Sequence, residues 1–247
     1  MTPYSFQSLV RGIEKRDIAA LGRAVSIFED RLALFPRLRT YLSSKTKSKT
    51  KGFIVGVTGS PGSGKSTLIT ALAKAMRNDK KTVAVIAVDP TSPKTGGAFL
   101  GDRVRMQELA EDLGVFIRSM ASRGAQGGIA RTTKDVAQLF LKAGYDFVLI
   151  ETVGAGQLDY EVTKIADLTL LVLTPEAGDE IQFMKSGLRE LADTFVINKT
   201  DRPGAQVMED FLKQTQTNIP VFKTIAEQKK GIAPLYQYIF KRSHAKK

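Results

Sequence analysis

Apolar residues change their spacing once, decisively, along this chain. Between residues 5 and 42 they recur at three- and four-residue steps: Leu9 and Ile13, then Ile18, Leu21, Val25, Phe28, Leu32 and Phe35. That is the period of amphipathic helix, with Pro36 as the expected break. Residues 43–51 (SSKTKSKTK) hold nothing to bury and read as a basic linker. From Gly52 onward, short apolar runs alternate with helical patterns. Strands are expected at 53–57, 82–88, 115–119, 146–151, 168–174, 194–198 and 220–224. Helices are expected near 66–78, 101–113, 132–143, 178–191, 204–217 and 231–241. Several runs are apolar at every position, as strands are when helices cover both faces of a sheet. The expected organisation is a helical arm (1–42), a linker (43–51), an α/β domain with a mainly parallel sheet (52–240) and a basic tail (241–247). Such sheets bind ligands at the C-terminal ends of their strands.

One segment at such an end has a chemistry of its own. Gly59, Ser60, Pro61, Gly62, Ser63, Gly64, Lys65, Ser66 and Thr67 fit the phosphate-loop pattern GxxxxGK[ST], between an apolar strand and a helix marked by Leu68, Leu72 and Met76. Glycines let the backbone curl so that its N–H groups converge on phosphate oxygens, and the helix N-terminus adds its positive end. Lys65 has the reach for the β- and γ-phosphates, and the Ser66 hydroxyl suits Mg²⁺. A P-loop NTPase fold is therefore expected.

Bulk properties narrow the setting. A chain of 247 residues can bury a substantial core. Cysteine is absent, which excludes a disulfide framework and thiolate metal sites. No apolar run approaches the length of a membrane span, and Glu14, Lys15, Arg16 and Asp17 interrupt any secretory leader. A cytoplasmic protein without stable membrane insertion is expected. The net charge of +12 is unevenly spread: +7 falls in residues 1–51, +4 in 241–247, and only +1 between them. Basic flanks of this kind are more often solvated than bound to RNA or membrane, so nucleic acid is not an expected partner.

Other polar residues fall at the ends of later strands. Asp89 closes the second strand, and Asp102 lies in the small, polar segment that follows. Both are placed to approach Mg²⁺, which keeps several waters and so uses carboxylates at one remove. A turn role for Asp89 and a helix-start role for Asp102 are the alternatives. The fourth strand ends in Glu151-Thr152-Val153-Gly154. Glu151 stands at the Walker-B position, and Gly154 can offer its N–H to a γ-phosphate. No glutamine directly follows Gly154, so slow intrinsic hydrolysis is expected.

The sixth strand runs into Asn198-Lys199-Thr200-Asp201, an NKxD pattern. A carboxylate at Asp201 can accept from both N1–H and the 2-amino group of guanine, a pair of donors that adenine lacks. Lys199 would lay its stem over the base while Asn198 ties the loops together. Thr224 and Ala226, after the last strand, are candidates for backbone contact with guanine O6. GTP and GDP are the expected ligands, with Mg²⁺.

The linking segments DPTSPKTGGAFLGDRVRM (89–106), RSMASRGAQGG (118–128), ETVGAGQ (151–157) and GDEIQFMKSG (178–187) resemble the accessory GTPases of methylmalonyl-CoA mutase, the MeaB/ArgK/MMAA type once labelled transport ATPases. The resemblance covers about residues 8–240. It implies a metallochaperone-type P-loop GTPase whose partner is an adenosylcobalamin-dependent mutase, with GTP gating cofactor loading and protection. It also implies that Lys65, Asp89, Glu151, Gln182 and Lys185 serve catalysis, the last two through a third switch segment that senses the mutase. Ser66, Asp89, Asp102 and Glu151 would surround the metal. The family pattern continues past Gly231–Leu235 into a helical extension used for dimerisation, whereas this sequence stops at Lys247, so a monomer or a homodimer through another contact is expected. Two other readings remain open: an ATP-driven transport ATPase or kinase, which Asn198–Asp201 oppose, and a GTPase whose basic flanks bind RNA or membrane.

Overall fold

The computed structural model describes residues 5–44, 52–89, 106–121, 132–152, 160–176, 192–215 and 218–245. All seven expected strands form: β1 (Phe53–Gly59), β2 (Val83–Asp89), β3 (Val115–Ala121), β4 (Phe147–Glu151), β5 (Leu168–Leu173), β6 (Thr194–Ile197) and β7 (Val221–Lys223). They make one sheet in the order β3-β2-β4-β1-β5-β6-β7, every pair parallel. β1, β4, β5 and β6 are buried at every residue, which is why their sequences do not alternate.

Successive residues of each strand face opposite layers. Phe53, Val55, Phe147 and Leu149 pack with α4 (Lys65–Asn78) and the C-terminal helix α9 (Ile232–Ala245). Ile54, Val148 and Ile150 pack on the other side with the N-terminal helices α1 (Phe6–Glu14), α2 (Ile18–Asp30) and α3 (Phe35–Ser43), and with α6 (Thr133–Lys142). The arm therefore shares its core with the sheet. Phe28, fully buried, belongs to the same cluster as Ile54 and Ala84. Arg16 fastens the α1–α2 elbow by donating to the carbonyls of Ala143 (3.3 Å) and Gly144 (2.7 Å) at the end of α6.

Where the arm breaks differs from the sequence expectation. The turn falls at Arg31, in the left-handed region at φ 48°, and Pro36 lies inside the first turn of α3. There a missing N–H costs nothing, because no carbonyl of the preceding turn awaits it. Of the helix expected at 101–113, residues 106–113 are described and only α5 (Gln107–Ala110) is helical there, shorter than expected; 178–191 lies outside the described residues. Two short elements add to those expected: α7 (Tyr160–Thr163) and a 3₁₀ turn (Ala226–Gln228). α8 (Ala205–Thr215) packs Met208 and Leu212 against β5 and β6.

A repeated device closes the N-terminal edge of the sheet. Asp146, Asp167 and Asp193 each stand one residue before a strand, and each accepts a backbone N–H at or just before the start of a neighbouring strand: Thr82 at 2.8 Å, Ile54 at 2.9 Å and Thr169 at 2.8 Å. The ladder's first unpaired donors are satisfied there by side chains. The opposite, C-terminal edge is thus left to bear the polar loops. Among the described residues, no helix is long and apolar enough to cross a membrane.

Candidate functional site

Loops after β1, β4, β6 and β7 meet around one cavity of about 510 Å³ at the C-terminal edge of the sheet. It sits beside β1 and β4, where the strand order reverses, as expected for such sheets.

The loop after β1 curls because two glycines permit it. Gly59 has φ +143°, and a Cβ there would lie 2.2 Å from the Val172 carbonyl oxygen. Gly64 has φ +90°, and a Cβ there would lie 2.4 Å from Asn198 Nδ2. Any other residue at Gly64 would push the two loops apart. Pro61, Gly62, Gly64, Lys65, Ser66 and Thr67 line the cavity. Gly64 caps α4 without a side-chain hydrogen bond, and the helix's own first turn holds no acidic residue, so its N-terminal donors suit an anion. Lys65 is 7% exposed, and its Nζ donates to the carbonyls of Gly59 (2.8 Å) and Ser60 (3.0 Å). Those contacts hold an ammonium ion over the curl of the loop.

The Ser66 hydroxyl donates to Glu151 Oε1 at 2.6 Å, and both residues are buried. This leaves the serine oxygen's lone pairs available to a cation, with the carboxylate immediately behind it. Thr152 continues the loop, its hydroxyl donating to Thr58 Oγ1 at 3.3 Å. Asp89 is the last residue of β2, in register with Ala121 of β3, while Ala87, two residues earlier, is in register with Glu151. Asp102, Gly154, Gln182 and Lys185 lie outside the described residues. No group of three or more His, Cys, Asp or Glu able to hold a metal exists among the described residues. A divalent cation here would draw most of its ligands from Ser66, water and a bound phosphate, the usual habit of Mg²⁺.

Asn198 is the junction of the site. It is 2% exposed, and its Nδ2 donates to the Ser63 carbonyl of the phosphate loop at 2.9 Å. Its Oδ1 accepts from Thr224 Oγ1 and from the Ala226 backbone N–H, both at 3.1 Å. Lys199, at φ 59°, reaches the same loop from above, its Nζ donating to the Gly62 carbonyl at 2.7 Å. Thr224 works differently from the expectation that its backbone would face a base. Its N–H is engaged by the Ile197 carbonyl at 2.8 Å and its carbonyl accepts from Thr200, so its contribution is to hold Asn198. Ala226 and Asp201 line the cavity, with Asp201 exposed.

Three further lining residues lie outside the motifs and candidate segments of the sequence: Val88, Arg202 and Glu227. Each is adjacent to a motif or candidate residue, which is the only signal the sequence offers for them. Arg202 Nη1 donates to Glu176 Oε1 at 2.8 Å. The ion pair holds the Glu176 carboxyl below its ordinary range and the guanidinium above its own. The assembled parts can cradle a polyphosphate at a helix N-terminus, hold a cation beside it, and receive a planar base about one loop's width away.

The family model described as "Methylmalonyl Co-A mutase-associated GTPase MeaB" matches residues 21–247. The chain is 41% identical over 242 residues to a protein of Pyrococcus abyssi named as a GTPase, spanning 94% of this chain and 74% of that one. It is 43% identical over 157 residues to the mouse protein named "Methylmalonic aciduria type A homolog, mitochondrial", covering 64% of this chain and 38% of the mouse protein. Among solved structures, one described as "Crystal structure of LAO/AO transport system kinase" superposes with a TM-score of 0.76 at 25% identity, over 99% of this chain and 78% of that one.

Proposed function

The chain belongs to the methylmalonyl-CoA mutase-associated (MeaB) family of P-loop GTPases, and from that premise we propose that it is a GTP- and Mg²⁺-dependent chaperone of an adenosylcobalamin-dependent acyl-CoA mutase. The observation that carries the nucleotide assignment is the double engagement of Asn198. It joins the phosphate loop, through Ser63, to the turn at Thr224 and Ala226, so the base-reading and phosphate-holding halves form one rigid unit. That coupling suits a guanine nucleotide, whose two ends must be held at a fixed distance.

In this reading Lys65 leaves the Gly59 and Ser60 carbonyls for the β- and γ-phosphate oxygens and offsets charge that develops during transfer. Ser66 and Glu151 hold Mg²⁺, with Asp89 and Asp102 approaching through water. The bound cation supplies charge neutralisation at the phosphates. Asp201 accepts from the guanine N1–H and 2-amino groups and Lys199 covers the base, while Ala226, its N–H engaged by Asn198, fixes the turn beside them. Gln182 and Lys185 belong to the segment that senses the mutase. The mutase role rests on the family's name and on the relative named for methylmalonic aciduria. The similar structure carries the name of a kinase, which favours ATP, but Asp201 in an NKxD turn accepts where adenine has nothing to donate.

The test is hydrolysis of GTP and ATP by the purified chain, with and without a methylmalonyl-CoA mutase. The expected result is GTP-selective turnover that the mutase accelerates. Preference for ATP would overturn the nucleotide assignment, and indifference to every such mutase would overturn the chaperone role.

A further inference from the structure

Arg202 directly follows Asp201 and lines the same cavity, yet its side chain is turned to a partner outside the cavity's lining. Its Nη1 donates to Glu176 Oε1 at 2.8 Å, linking the turn after β6 to the turn after β5. Both side chains are about half exposed, at 47% and 50%, so the pair contributes little and exchanges readily. The root of the residue is far better fixed. Its backbone N–H donates to the Lys199 carbonyl at 3.0 Å, closing the turn that also carries Asp201. Glu227, on the 3₁₀ turn that contains Ala226, lines the same cavity. Asp201 and Glu227 also favour the charged guanidinium, after the larger effect of Glu176. Arg202 therefore has a fixed backbone at the base-reading turn, a weakly held head, and a place in the lining of the cavity beside Asp201.

We propose that Arg202 is a purine-binding residue, whose guanidinium leaves Glu176 when a nucleotide enters and covers the open face of the base seated against Lys199 and Asp201. The proposal rests on the reading of this cavity as a nucleotide site and adds a residue to it. A guanidinium plane stacks on aromatic faces and is attracted by their π electrons, where an ammonium ion makes a poorer fit. Such contact is indifferent to the base's edge, so Arg202 sets affinity while Asp201 sets identity. Glu176 is then a competitor that holds the guanidinium while the site is empty.

The test is calorimetric binding of GDP and of a non-hydrolysable GTP analogue to the intact chain and its Arg202→Ala, Arg202→Lys and Glu176→Gln variants. Arg202→Ala should weaken both ligands by the same factor, about three- to tenfold, with Arg202→Lys recovering only part. Glu176→Gln should tighten both about twofold, because it releases the guanidinium. If the ion pair merely braces two turns, Glu176→Gln will weaken binding in step with Arg202→Ala, and the proposal falls. Unchanged affinity in Arg202→Ala also overturns it. A wild-type chain that binds no guanine nucleotide refutes the nucleotide reading itself, a result distinct from either. Melting curves of the variants, expected to match wild type, separate a lost contact from a damaged fold.

Discussion

Asn198 and Ser63 lie 135 residues apart and are joined by a 2.9 Å hydrogen bond from the asparagine side-chain amide to the serine carbonyl. With Thr224 and Ala226 on the other side of the same amide, the phosphate loop and the base-reading turn cannot move independently. Asn198→Ala strands buried donors on Thr224 and Ala226 and a buried acceptor on Ser63. The expected loss is about 1–3 kcal/mol of stability. Affinity for GTP and GDP should also fall by at least about tenfold, which corresponds to 1.4 kcal/mol. Denaturant melts and calorimetry on the same samples check both; a variant that loses stability but keeps affinity shows that the junction supports the fold alone.

Lys65 is buried against the loop that it would leave on nucleotide binding. Removing its ammonium takes away charge that matters most when phosphoryl oxygens become most negative. Lys65→Ala should lower single-turnover GTP hydrolysis by about 10²–10³ at saturating nucleotide. Unchanged single-turnover rates would remove Lys65 from the reaction.

Asp201 is the residue on which base identity turns. Asp201→Asn replaces a double acceptor with a group that also donates, and xanthine presents a 2-oxo group where guanine presents an amine. The variant should bind GTP poorly and xanthosine triphosphate well, a reversal read by competition against a fluorescent nucleotide. If the wild type and the variant rank the two ligands alike, Asp201 does not read the base.

The parts legible in the sequence are those whose physics is local. Continuous apolar runs such as Val83–Val88 locate the strands, and the contiguous Gly59–Thr67 and Asn198–Asp201 carry their chemistry in their order. Pro36 misleads because its effect depends on where in a helix it falls, and only the turn at Arg31 decides that. Thr224 reads as a base contact because its chain position is right. Its N–H is already taken by Ile197, a matter of sheet register that no single segment reveals. Arg202 and Glu176 pair across 26 residues, and neither belongs to a recurrent pattern. The carboxylates at 146, 167 and 193 repeat the order Asp-then-strand, a regularity whose purpose becomes visible only once the neighbouring strands are paired.

The arm offers a test of shared packing. Phe28 is fully buried and meets Phe35 edge-on at 5.8 Å, within a cluster that includes sheet residues Ile54 and Ala84. Phe28→Ala should destabilise the whole chain by about 3–5 kcal/mol in a single cooperative transition. A separate early transition, with the nucleotide domain melting as in wild type, would show instead that the arm folds on its own account.

Glu209 provides the clearest pH signature. Its carboxylate, 8% exposed, accepts from Lys213 at 2.7 Å on its own helix and from Lys223 at 2.6 Å on β7, the strand that leads to Thr224. Hydrogen bonds to Lys213 and then Lys223 hold its pKa below the ordinary 4.5. A carboxylate with a depressed folded pKa binds fewer protons folded than unfolded near that pH. Its stabilisation is therefore complete above the unfolded value and disappears as pH falls through the folded one. Glu209→Gln keeps the shape and removes the charge. It should lower the melting temperature at pH 6–7, and the gap from wild type should close as the solution is acidified below 4.5 and through the depressed value of the folded carboxylate. Because β7 is a three-residue strand at the sheet's edge, loosening it should also reach Thr224 and Asn198. A parallel loss of nucleotide affinity at pH 7 is the expected companion result, and a gap that persists unchanged into acid would mean that the ion pairs contribute nothing to stability.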